Sequence, residues 1–91
     1  MAIDEAGIAR IDALLAALGE EAAAETLDDA LRRLLPGIEC RRCDARDVLE
    51  EPFREAGRID IHMLDTSNHC IRVTDRPAEA TALLIAEKVS A

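Results

Sequence analysis

At 91 residues the chain is long enough for one domain and too short for two, since single domains commonly run from about 50 to 200 residues. Asp and Glu total 19 against 11 Lys and Arg, a formal charge of -8, and Phe53 is the single aromatic residue. Phosphate backbones and anionic lipid surfaces attract clustered cations, so neither nucleic acid nor a membrane surface is an expected partner, and base-stacking or aromatic-cage sites lack their rings. Hydrophobic residues make up 49% of the chain, but many are alanine, so the core must come from Leu, Ile and Val. No run approaches the roughly 20 apolar residues of a membrane span. Met1 to Gly19 mixes Asp4, Glu5, Arg10 and Asp12 into its apolar positions, which predicts no leader and a cytoplasmic location with reduced thiols. Cys40, Cys43 and Cys70 form an odd set, which disfavours a disulfide framework.

In chain order, Ile8, Ile11, Leu15 and Leu18 recur at three- and four-residue spacing, with Leu14 widening the stripe, and predict a first helix stopped at Gly19. A second helix is expected from Thr26, where Thr26 and Asp29 make an approximate capping pattern, with Leu27, Leu31, Leu34 and Leu35 inward and an end at Leu35-Pro36-Gly37. Ile38 to Cys43 reads as a modest strand. The connection 44–57 reads as a short helix broken by Pro52, kept wet by Glu50, Glu51 and Glu55, with Phe53 either a partner anchor or a plug on the core.

Alternation then predicts a hairpin of 58–65 and 69–75 around a Thr66-Ser67-Asn68 loop. Its expected pairs are Met63 with Ile71, Ile61 with Val73, Leu64 with Cys70, His62 with Arg72 and Asp60 with Thr74. The last element is expected to be a helix opening at Arg76-Pro77 and running through Leu83, Leu84, Ile85 and Val89. Residues 1–91 are thus expected to form one two-layer α+β domain of order ααβ(loop)ββα. It would hold a three-stranded, mainly antiparallel sheet covered on one face by about three helices.

Two constellations could carry chemistry. Cys40 and Cys43 form a CxxC that, with His69 and Cys70, supplies the nitrogen and sulfur ligands a zinc or copper ion accepts; the same pair could serve thiol redox chemistry. In regular strands, however, each pair would point to opposite faces, and buried structural cysteine is the simpler account. The outward hairpin face would present Asp60, His62, Cys70, Arg72 and Thr74 together, as a solvated face or as a surface for another protein or a second copy in a homodimer. His62 and Cys70 would stand about 7 Å apart as diagonal neighbours, too loose for a nucleophile and its base, so no catalytic residue is assigned.

The stretch LDTSNHCIRVTDRPAEATAL, Leu64 to Leu83, resembles a pattern of small uncharacterised bacterial proteins in which an HCxRxT segment is followed by a proline and an alanine-rich helix. The matching positions are His69, Cys70, Arg72 and Thr74, and the resemblance implies a small cytoplasmic accessory protein without assigned chemistry. The leading expectation is therefore an acidic accessory or protein-interaction module without catalysis or cofactor, binding through the hairpin face or the acidic 44–57 connection, with Phe53 included. The alternatives are the metal or thiol protein and a small enzyme.

Overall fold

The computed structural model describes residues 3–67 and 70–88. Its first helix, α1, covers Glu5–Leu18 and opens on Asp4, whose carboxylate accepts the Gly7 N–H at 2.8 Å. It ends where Gly19 takes φ +74° and donates its N–H to the Leu15 carbonyl. Helix α2, Ala24–Leu34, starts earlier than the Thr26 signal: its N-cap is Ala23, which has no side chain to bond with, and the Thr26–Asp29 pattern lies inside the helix. Leu27 and Leu31 of α2 and Ile11 of α1 are fully buried, as their helical spacing predicts.

Five strands follow: β1 (Glu39–Asp44), β2 (Arg54–Ala56), β3 (Ile59–Asp65), β4 (Arg72–Thr74) and β5 (Ala82–Glu87). They form one mixed sheet. β5 lies in its interior, parallel to β1 and antiparallel to β3, while the other edge of β3 is shared end to end by β2 and β4. Both helices close one face. There Ile59, Ile61 and Met63 of β3, Leu83 and Ile85 of β5, and Cys40 of β1 join the helical leucines and isoleucines in one cluster, with Phe53 packed at its margin. Among the described residues, no helix is long and apolar enough to cross a membrane.

This architecture overturns the expected three-stranded antiparallel sheet under about three helices. The predicted last helix is instead a 3-10 turn, Pro77–Glu79, followed by β5. Leu83-Leu84-Ile85 is a short continuous apolar run, and such a run suits a strand walled in by neighbours on both edges as well as it suits a helix. Val89 lies outside the described residues. The 44–57 connection holds no α-helix: it makes a 3-10 turn at Ala45–Asp47 and then β2.

The hairpin register also differs. Met63 faces Thr74, Leu64 faces Val73 and Asp65 faces Arg72, three residues away from the expected pairing. The edge of β3 beside Asp60 and Ile61, where Thr74 and Val73 were expected, is occupied by β2, so β4 can pair only with the far end. An odd shift inverts the faces. Arg72 and Thr74 move to the side of Ile61 and Met63, and Val73 moves to the side of His62.

Candidate functional site

The register separates the residues expected on one polar face. Asp60 and His62 point away from the helices; Arg72 and Thr74 belong to the opposite side of the sheet, and Cys70 sits exposed in the loop before β4. His62 is only 2% exposed, and its Nδ1 is buried without a hydrogen-bond partner among the described residues. Leu64, Ala82 and Ala86 are buried on the same face, so this side of the sheet is largely withdrawn from solvent as well. Asp60 Oδ1 lies 3.1 Å from Lys88 Nζ, an ion pair by distance whose alignment does not make a hydrogen bond. The expected open polar hairpin face is therefore absent among the described residues.

The cysteines are dispersed as well. Cys40 stands opposite Leu83 on the core side, and Cys43 opposite Ala86 on the other side. His69 lies outside the described residues, and among those described no three His, Cys, Asp or Glu side chains gather as a metal-holding group. Burial is the main cause that pushes the Cys40 thiol above its ordinary pKa, with Asp28 adding to it and Arg32 opposing. Cys43 is raised chiefly by burial and then by Asp47 and Asp44. Both shifts oppose the low-pKa thiolate that thiol chemistry uses.

What the fold does assemble is a cleft at the place where β2 and β4 meet along β3. The segment Glu50–Phe53 leads into β2 and the segment Thr74–Glu79 leaves β4, and between them lies a cavity of about 820 Å³. Its polar wall on the β4 side is internally satisfied in part: Thr74 Oγ1 donates to Glu79 Oε1 at 3.1 Å and accepts the Arg76 N–H at 3.2 Å. Arg72 reaches Asp65 at 3.1 Å and Glu79 at 3.5 Å. Asp65, itself buried, also takes the Ser67 N–H and hydroxyl, which hold its carboxyl below the ordinary range, with Arg72 as a further cause. By contrast, Glu50, Glu51 and Asp75 form no ion pair among the described residues.

The opposite wall is anchored by Phe53. Its ring is half-buried, with the Arg54 guanidinium 4.2 Å above the centroid, and that guanidinium grips Asp12 of α1 at 2.7 Å. Phe53 N–H donates to the Ile61 carbonyl at 2.7 Å, so the segment is fixed to the sheet at this end. Four residues earlier Leu49 is 94% exposed, the most exposed large apolar side chain among the described residues. The sequence marks Phe53 but not the cleft. Its two walls are some 20 residues apart in sequence and come together only because β2 and β4 share one edge of β3. No protein-family model matches the chain, and no curated protein and no solved structure matches it.

Proposed function

We propose that the protein is a non-enzymatic accessory module that binds another protein through the acidic connection 44–57, with Leu49 as its apolar anchor. The observation that carries this is the near-complete exposure of Leu49 between Asp47 and the Glu50–Glu51 pair, one residue before the segment that lines the cleft. An aliphatic side chain held in water costs about 1.5–3 kcal/mol relative to burial, which a partner pocket would return. Charge around a central apolar residue is the usual plan of a small interface, with the rim setting encounter rate and partner choice.

A photo-crosslinking residue placed at position 49 tests this in extract from the source cells, with the same residue at exposed Ala17 of α1 as the control. The expected result is a discrete adduct from position 49 that is absent from position 17. Equal or absent labelling at the two positions would remove the basis for the proposal.

A further inference from the structure

The cleft beside the 44–57 connection has a chemistry of its own, and the inference drawn from it rests on the binding-module reading above while going further. We infer that the cleft receives a cationic segment of the partner, an extended peptide carrying Lys or Arg, whose charge sits among Glu50, Glu51 and Asp75 while an apolar neighbour packs on Leu49.

Three observations converge on that occupant. The first is shape: about 820 Å³ between two chain segments accommodates several side chains of a peptide and exceeds what one ion or water needs. The second is charge complementarity. Glu50, Glu51 and Asp75 are unpaired among the described residues, whereas Arg72 on the same wall is already neutralised by Asp65 and Glu79; Arg76 is the one lining cation without an ion pair among them. A cationic segment therefore meets a surplus of free carboxylates, and the formal charge of -8 extends the same field beyond the cleft. The third is the apolar part of the lining, Pro52, Phe53 and Val73, which offers surface for the methylene stems of Lys or Arg.

A second copy of the chain fits less well. Two copies of so acidic a surface would bring the unpaired carboxylates of each cleft toward a like-charged partner.

Selection from a displayed library of random linear peptides against the intact chain tests the inference without naming the partner in advance. The expected outcome is enrichment of Lys and Arg beside an apolar residue. Binding of the selected peptides should weaken about tenfold in the combined variant Glu50→Gln, Glu51→Gln, Asp75→Asn, and weaken as salt is raised. All three positions are exposed, so the variant keeps the fold, which circular dichroism verifies. Selection of acidic or uncharged peptides, of no peptide, or of basic peptides indifferent to the triple variant would overturn the inference. So would self-association that Leu49→Ser abolishes. Apolar peptides that need Leu49 but ignore the three carboxylates would sink the cationic occupant alone and leave the interaction module standing.

Discussion

Gly57 joins the turn between β2 and β3 to the loop between the helices. It has φ +60°, and a Cβ built there would collide with the Glu20 carbonyl oxygen, a contact with backbone that no rotamer change relieves. Gly57→Ala is expected to cost about 2–4 kcal/mol, combining left-handed strain with displacement of the Glu20 backbone, and a urea melt measures it. Gly19 has a similar φ but open space around it, so Gly19→Ala should cost clearly less. Acid sensitivity also belongs to single residues. The carboxyls of Asp12, Asp44 and Asp65 are held below the ordinary 3.8, chiefly by hydrogen bonds from Arg54, Arg46 and Ser67 respectively. Depressed folded values contribute stability above the unfolded value, and that contribution is lost as the pH falls through 3.8 toward the folded ones. The urea midpoint should therefore drop between neutral pH and about pH 3, and Asp65→Asn should shrink the drop; an unchanged drop in that variant would exclude Asp65 as a contributor. None of this was visible in the sequence. His62 illustrates why: alternation correctly sets it opposite Ile61, but only the covering of that second face decides that it is buried.

Between elements, the contact of α2 with β1 is held by a buried carboxylate. Asp28 accepts from Arg32 Nε at 2.7 Å and lies 3.5 Å from Arg42, while Arg32 Nη2 donates to the Cys40 carbonyl at 2.8 Å. β1 has strand pairing only to β5 among the described residues, so Arg32 also shields an outer strand. Arg32→Ala is expected to lose about 1 kcal/mol and, more tellingly, to self-associate as concentration rises, because an uncovered outer strand templates pairing; sedimentation velocity reads this directly. The element scale is where sequence legibility divides most clearly. Ile8, Ile11, Leu15, Leu27 and Leu31 identify α1 and α2 because a helix records its buried face within its own periodicity. Leu83-Leu84-Ile85 records no such face, since the neighbours that make it a strand are β1 and β3, far away in the chain. Arg54–Ala56 carries no apolar pattern of its own, and its strand character comes wholly from β3.

Across the whole molecule, β5 unites the structure. It joins β1 to β3, and Leu83 and Ile85 meet the helices on its inner face. Removing residues from Ala82 onward should abolish the cooperative unfolding transition, whereas a peripheral helix in that position would leave a weakened but folded remainder; calorimetry on the shortened chain distinguishes the two. The α+β class and the order of its first three elements follow from local patterns, but strand order does not, because parallel pairing of residues 39–44 with 82–87 leaves no trace in either segment. The cleft shares that fate, being a product of how two short strands divide one edge.

The position of β5 also bears on synthesis. β5 is synthesised after both strands that it joins, so β1 and β3 leave the ribosome with the edges that will face it still bare. The sheet can close only once residues 82–87 have been made. Until then Ile59, Ile61 and Met63 have a helix layer available on one side and no strand to complete the row, so the nascent chain passes through a window in which its best-buried residues are its most adhesive ones.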